Sequence, residues 1–398
     1  IDDASVEDQD LKNRLKGEGH FLRAHFYHNL LRAFGGVPVI TKVYGLGDDM
    51  RDPRNSFEET VNFIIQEAEA AADLLPPVHT GENIGRASAG AALALKARVL
   101  LYAASDLYHE NPSGMPETGY VNQQDRTQMW RDAKNAAEDV MDLGVYSLFR
   151  AEPSPGDSTA SNYYELFHTR NSNPEVILAR YFTDGPRHTI NQNYRPHIYN
   201  GPNGFHQWGG VTPTQQMVDA YQMADGSEFD WNNPQHAENP YKNRDPRFYS
   251  TILFDGAKFR ERPSDAISMD QDGVIQTFKQ LELPDGTTVP GLDTRESPIE
   301  PWNGTWSGYY IRKILDEDSP PDLGQVPGMW IHYRYGEVLL NYAEASIELG
   351  EEDDARNALN RIRHRAGMPE FDATISGQEL LEQYRNERLV ELAFEEHR

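Results

Sequence analysis

The chain has 398 residues, of which 37 are basic and 63 acidic, and it carries a net charge of −26 and no cysteine. The absence of cysteine excludes disulfides, thiolate metal sites and cysteine nucleophiles. The acidic excess argues against nucleic acid as a partner, because it repels phosphate backbones. The sequence has no run of about 18 apolar residues, the minimum for a membrane-spanning helix. Its first ten residues have neither the basic patch nor the apolar core of a signal peptide.

Apolar residues at helical spacing predict the first two helices. Between residues 17 and 34 these residues form two stripes, so we expect this helix to be largely buried. Gly35 predicts its end. A second helix is predicted over residues 56–76, where Ser56 and Glu59 have the spacing of a capping box.

Two further helical hairpins follow from the same spacing. Residues 86–107 are so rich in alanine that neighbouring backbones must approach closely, and residues 130–144 provide an amphipathic partner helix. In residues 331–367, Gly350 separates two amphipathic helices, and the small Ala343 and Ala355 permit close contact. This pattern is typical of tetratricopeptide hairpins, which stack on one another to bury a continuous core.

The middle of the chain differs in composition and has no long helical period. Prolines, glycines and scattered aromatic residues replace the helical period between residues 146 and 327, helices resume at 329, and a last helical pair is expected over 376–396. The sequence therefore predicts an all-α protein in which about four tetratricopeptide-like helical pairs support a loop-rich region with a few short strands. We expect a single domain, 1–398, made of N-terminal helical pairs (17–145), a loop-rich ligand-side region (146–327) and C-terminal helical pairs (329–398).

Ten segments in order along the chain carry a family resemblance. They are GEGHFLRAHFYHNLLRAFGGVPV (17–39), SFEETVNFIIQEAEAAADLLP (56–76), GRASAGAALALKARVLLYAASDLY (85–108), WRDAKNAAEDVMDLGVYSLF (130–149), NPEVILARYF (173–182), PTQQMVDAYQMADG (213–226), RDPRF (244–248), RYGEVLLNYAEASIELG (334–350), LNRIRHRAGMP (359–369) and ERLVELAFEEHR (387–398). With these segments the chain resembles the SusD/RagB family of outer-membrane nutrient-binding lipoproteins over almost its whole length.

The resemblance implies a function in nutrient uptake. Family members capture glycans, or in some cases peptides, at the cell surface and deliver them to a SusC-like TonB-dependent outer-membrane transporter. The resemblance thus implies no catalysis and no cofactor, and membrane attachment only through a lipid anchor outside this chain. Because members normally begin with a signal peptide and a lipid-modified cysteine and continue past the EEHR segment, we expect both ends of this chain to be truncated.

Aromatic residues in irregular loops are the candidate ligand-binding residues, because pyranose C–H faces stack on aromatic rings while sugar hydroxyls bond to polar side chains. One cluster lies in PWNGTWSGYY at 301–310 and contains Trp302, Asn303, Trp306 and Tyr309. A second lies in NGPNGFHQWGG at 200–210 and contains His206 and Trp208; Tyr44 is a weaker third candidate. The alternative is that these rings fill the interface with the helical repeats.

Other functions are less well supported by the residues. No pair of carboxylates has a spacing that indicates glycoside cleavage, and no histidine spacing indicates a metal site. His25 and His28, three apart on a predicted helix, are interpreted as hydrogen-bonded core residues. A peptide receptor, a glycoside hydrolase and a transporter scaffold without a small ligand remain as alternatives.

Overall fold

The computed structural model describes residues 7–121, 125–182, 195–282, 284–318 and 328–397. Parts of the predicted loop-rich region, 183–194, 283 and 319–327, lie outside the described residues. The described α-helices are α1 (Gln9–Phe34), α2 (Phe57–Leu74), α3 (Ala89–Ala104), α4 (Asp106–His109), α5 (Arg126–Asp142), α6 (Ser161–Leu166), α7 (Arg195–Asn200), α8 (Gln215–Asp219), α9 (Pro234–Glu238), α10 (Pro246–Thr251), α11 (Tyr335–Glu348), α12 (Glu352–Ala366) and α13 (Gly377–Glu391). The mostly helical class is confirmed, and none of the described helices combines the length and the apolar character required to cross a bilayer.

Helix α1 is less buried than the sequence predicts. Phe21, Ala24 and Leu31 lie in the core, but Phe26 is 59% exposed. The expectation of a largely buried helix is therefore wrong, because α1 packs mainly against α2 and so covers one side only. We call the exposed apolar residues of this helix, Leu22, Phe26 and Leu30, the outer stripe.

Helix α3 is the centre of the N-terminal half. It packs against α2, α5 and α11 and against both strands of the largest ladder, so its alanines are buried on several sides. The capping box that starts α2 is present, since Ser56 accepts from the Glu59 amide and the Glu59 carboxylate accepts from the Ser56 amide. The helices α1–α2 and α3–α5 are thus packed pairs, as predicted.

The C-terminal half differs from the prediction at both ends. The segment 328–334 is a strand, not the start of a helix, and the hairpin of α11 and α12 begins only at Tyr335. Gly350, with φ of +76°, lies in its turn, where a left-handed residue is needed. Over 376–396 the structure has the single helix α13, packed on α11, and not a pair.

In the described ranges, six short strands form three antiparallel two-stranded ladders. They are β1 (Val176–Phe182), β2 (Ile252–Leu253), β3 (Leu281–Glu282), β4 (Thr288–Val289), β5 (Tyr310–Ile311) and β6 (Gly328–Arg334), paired as β1–β6, β2–β5 and β3–β4. In the longest ladder Ala179 lies opposite Ile331. This pairing explains why 328–334 cannot be helical, since its backbone groups bond to β1.

A buried ionic network joins the loop-rich region to the C-terminal helices. Glu391 of α13 accepts from Arg334 at 2.7 Å, and also from Arg365 of α12 and Arg247 of α10. Burial raises the pKa of Glu391, but the guanidiniums of Arg365, Arg334 and Arg247 outweigh this and hold the pKa well below its usual range. Lys313, two residues after β5, donates to Glu395 at 2.5 Å. The network thereby anchors β5, which follows the tryptophan-bearing loop directly.

Candidate functional site

Two loops of the middle region are held against each other. Gly209 packs so closely on the second loop that a Cβ there would lie 2.4 Å from the Asn303 carbonyl oxygen. The buried Tyr310 hydroxyl lies 2.8 Å from Asn203 Oδ1 and accepts from the Thr305 amide at 2.9 Å. The 200–210 and 301–310 segments, predicted separately, are therefore neighbours.

Three tryptophans of these loops are exposed. Trp302 is 68%, Trp306 83% and Trp208 44% exposed. We call these three residues the tryptophan platform. Tyr199 adds a fourth ring, 5.0 Å from Trp208 between centroids and tilted by 40°. Tyr199 was not among the predicted site residues, although it directly precedes the 200–210 segment.

His206 and Asn303 have a supporting position between the loops. His206 lies 3.0 Å from Glu300 Oε1 through Nδ1 and 3.1 Å from Asp265 through Nε2, and Asn303 donates to Glu300 Oε2 at 2.9 Å. Partial burial lowers the pKa of His206, but the hydrogen bonds to Asp265 and Glu300 outweigh it and raise the pKa above its usual value. His206 thus bridges two carboxylates, Glu300 and Asp265, that were not among the predicted site residues.

Tyr309 does not lie on the exposed surface. It is 5% exposed, and its hydroxyl donates to Gln215 Oε1 at 3.0 Å and lies 3.2 Å from the Tyr241 hydroxyl. The physical reason is that Tyr309 directly precedes β5, whose pairing with β2 draws both tyrosines of the segment inward. We therefore leave Tyr309 out of the proposed ligand surface. Its ring is a packing residue, which is closer to the alternative that these aromatic rings fill an interior interface.

Tyr44 is separate from the two loops. Its ring is half-buried with the Lys42 ammonium 4.8 Å from the centroid. Within the described residues, no hydrogen bond or ring contact links Tyr44 to the tryptophan platform, and its buried hydroxyl has no hydrogen-bond partner. The structure thus brings together five of the seven predicted residues: Trp208, His206, Trp302, Asn303 and Trp306.

Arg295 lies at the edge of the platform. Its guanidinium carbon is 3.8 Å from the Trp306 ring centroid, and Nη1 donates to the carbonyl oxygens of Trp302 at 3.2 Å and Gly304 at 3.3 Å. Stacking and two hydrogen bonds fix the position of this exposed side chain. Sequence reasoning missed it, because the contact spans eleven residues of irregular chain and no motif marks it.

The remaining exposed tryptophan of this region has a different environment. Trp231 is 47% exposed, its indole N–H donates to Asp219 at 3.1 Å, and its ring packs edge-on against Phe229 at 5.0 Å. Because no described ring contact or hydrogen bond joins Trp231 directly to the platform, it offers a matched control for substitutions there.

His25 and His28 line a cavity of about 270 Å³ between α1, α3 and β6. His25 bonds to the Tyr333 hydroxyl at 3.2 Å, whereas the buried Nδ1 of His28 has no partner among the described residues. Burial, aided by the charge of Arg98, lowers the pKa of His28 to about 3, so the imidazole is neutral. In the part of the chain that the structure describes, no three His, Asp or Glu side chains are arranged to hold a metal ion.

Comparison with known proteins extends over the whole chain. A model described as the SusD family matches residues 174–398, and one described as "Starch-binding associating with outer membrane" matches residues 1–101. SusD-like protein P38 of Formosa agariphila is 22% identical over 96% of this chain and 64% of its own length. This chain therefore spans less than two thirds of that relative.

Solved structures have the same fold. A SusD-like protein from Bacteroides fragilis matches 98% of this chain and 68% of its own, with 30% identity and a TM-score of 0.74. A second protein of that organism, described as a SusD-like carbohydrate-binding protein, matches 98% of this chain and 66% of its own, with 24% identity and a TM-score of 0.73. With one family model covering more than half of its residues and a 30% identical structure covering nearly all of them, the chain belongs to the SusD family.

Proposed function

We propose that this protein is a cell-surface glycan receptor that binds oligosaccharide or polysaccharide on the tryptophan platform and passes it to a SusC-like TonB-dependent transporter. The observation that carries the proposal is the exposure of Trp208, Trp302 and Trp306 on two loops that are fixed to each other. Large exposed aromatic surfaces are costly in water and mark binding sites. Flat rings fit the C–H faces of pyranoses.

The mechanism is binding without catalysis. The platform is already organised by the Tyr310, Asn203 and His206 contacts, so little conformational entropy is lost at the loops when a glycan binds. Affinity for a short oligosaccharide should be modest, since the flexible ligand must still be ordered.

Substitution of the platform tests the proposal. We expect Trp302→Ala and Trp208→Ala each to lower glycan affinity roughly tenfold or more, because each removes the stacking and burial of a large ring. The measurement is a glycan array followed by affinity titration of the glycans that bind. Trp231→Ala is the matched control and should leave affinity within about twofold.

The same experiment distinguishes the alternatives. Unchanged glycan affinity in both platform variants would contradict the proposed site, and a silent array would contradict the function. A peptide library run in parallel detects a peptide receptor, and product analysis of labelled oligosaccharides incubated with the protein detects a hydrolase. A protein that binds neither glycans nor peptides but retains a transporter partner would be a scaffold.

Delivery requires a surface for the transporter, and we propose the outer stripe of α1 for it. The stripe is exposed on the first helix of the stack, and the loop after α1 adds the exposed Val43 and Leu46. Such a concentration of exposed apolar residues is typical of a protein interface. We further propose that the full-length protein is held at the outer membrane by a lipid anchor, as the family resemblance implies, with the platform facing outward.

A further inference from the structure

Arg295 is a cation that has no acidic partner among the described residues of this strongly acidic protein. The chain has 63 acidic against 37 basic residues, yet the described residues provide Arg295 with two carbonyl acceptors and the Trp306 ring and with no carboxylate. Arginines elsewhere in the fold commonly bind carboxylates, as Arg86 binds Glu18 and Arg262 binds Asp293. The contacts of Arg295 therefore hold its position without neutralising its charge.

The carboxylates of Glu300, Asp265 and Glu296 have partners other than Arg295. Glu300 and Asp265 flank His206, at 3.0 Å and 3.1 Å, and Glu296 lies 3.9 Å from Lys279. Each of these carboxylates therefore faces an imidazole or an ammonium group and is not paired with the Arg295 guanidinium. Because charges in solution are screened beyond about 8 Å at physiological salt, the groups next to Arg295 matter more for a bound sugar than the distant acidic surface.

We propose that the glycan bound on the platform is anionic, and that Arg295 binds its carboxylate or sulfate group beside Trp302 and Trp306. This inference rests on the proposed function and specifies its ligand class. Both carbonyl contacts use Nη1, and within the described part of the chain the N–H groups of Nε and Nη2 remain to donate. A guanidinium edge of this kind matches a carboxylate or sulfate through two parallel hydrogen bonds, whereas a neutral hydroxyl cannot accept both in that geometry.

The arrangement suits simultaneous stacking and charge recognition. Trp306 is 83% exposed, so one face can lie against the guanidinium while the other remains open to a sugar ring. A pyranose stacked on a tryptophan has its substituents at the ring edge, where an acidic group can reach a neighbouring cation. The hydrogen bonds from Arg295 to the carbonyl oxygens of Trp302 and Gly304 hold its guanidinium beside the platform.

Matched pairs of polysaccharides test the inference. The probes are polygalacturonate and alginate beside their carboxyl-reduced forms, and dextran sulfate beside dextran, each titrated against wild type, Arg295→Gln and Arg295→Lys. We expect wild type to bind an acidic member at least about tenfold more tightly than its neutral counterpart. Arg295→Gln should abolish this preference, and Arg295→Lys, which keeps the charge but loses the planar edge, should retain part of it.

The outcomes separate this inference from the proposed function. Binding of neutral members at equal or higher affinity, lost in Trp302→Ala but unchanged in Arg295→Gln, would overturn the anionic ligand and leave the glycan receptor intact. Binding of no member, acidic or neutral, would contradict both. The wild-type preference is measured independently of any variant, so a folding defect in Arg295→Gln cannot hide the result.

Discussion

Gly209 is one of the residues at which the two platform loops touch. Its φ is +50°, and the space where a Cβ would stand is occupied by the Asn303 carbonyl oxygen at 2.4 Å. Because the obstructing atom belongs to the backbone, a side chain cannot be accommodated by a rotamer change. Any larger residue must move one loop away from the other, and Trp208 moves with it.

We therefore predict that Gly209→Ala impairs glycan binding without removing a ring. Affinity should fall by roughly tenfold, in addition to a loss of about 1–2 kcal/mol in the free energy of unfolding from the left-handed backbone. Affinity titration and urea unfolding measure the two effects. Gly256→Ala is the control, since Gly256 also has a positive φ, of +86°, but nothing lies within 4 Å of its Cβ position. Equal affinities of the two variants would show that loop contact is not required.

The residues of the site could be predicted from the sequence only in part. Glycine and asparagine around Trp208, Trp302 and Trp306 indicated rings in irregular, accessible loops, and these rings are exposed. Tyr309 has the same local composition, yet a two-residue strand buries it, and composition carries no information about such pairing. Arg295 depends on contacts across the fold, which a single sequence does not encode locally.

At the level of elements, helical period predicted the N-terminal pairs and the α11–α12 hairpin. The helical period predicted the wrong secondary structure where contacts with another segment determine it. Residues 331–334 continue the helical spacing of α11, but backbone bonding to β1 makes them a strand. The two stripes of α1 indicated burial on both sides, whereas the described structure covers one of them. The spacing of apolar residues thus indicates which face of a helix is apolar. It does not indicate whether another part of the chain packs on that face.

The outer stripe of α1 leads to a prediction about the partner. Phe26→Glu should reduce co-purification of the cognate SusC-like transporter at least about tenfold, because a charge replaces an apolar contact that is buried in the complex. The measurement is recovery of the co-expressed transporter on the tagged protein from detergent-solubilised membranes. Leu389→Glu on α13, where the leucine is 49% exposed, is the matched control. Equal recovery with Phe26→Glu and wild type would contradict docking on α1.

For the whole molecule, buried neutral histidines and buried carboxylates make stability depend on pH. Burial lowers the pKa of His28 and of His197 to about 3, while both titrate near 6.5 when unfolded. Below pH 6.5 the unfolded chain binds more protons, so the free energy of unfolding decreases as the pH falls. Burial raises the pKa of Glu337, but the charge of Arg98 outweighs this effect and lowers the pKa to about 2. The contribution of Glu337 to the free energy of unfolding is therefore lost only as the pH falls from about 4.5 to 2. As the pH falls from neutrality, the decrease in the free energy of unfolding, which we call the acid limb, should therefore begin with the histidines and not with Glu337.

His28→Gln tests this order. Each such histidine contributes a slope of about 1.4 kcal/mol per pH unit between about pH 6 and pH 4, so the variant should have a shallower acid limb by that amount. Urea unfolding at a series of pH values from 4 to 8 measures the slope.

The control is Asn29→Gln, at the adjacent position on α1, which adds no titrating group and should leave the slope unchanged. An unchanged slope in His28→Gln would mean that this imidazole gains its proton in the folded protein as readily as in the unfolded chain. The cavity it lines with His25 and Arg98 would then stabilise the cation, against the desolvation expected from its burial.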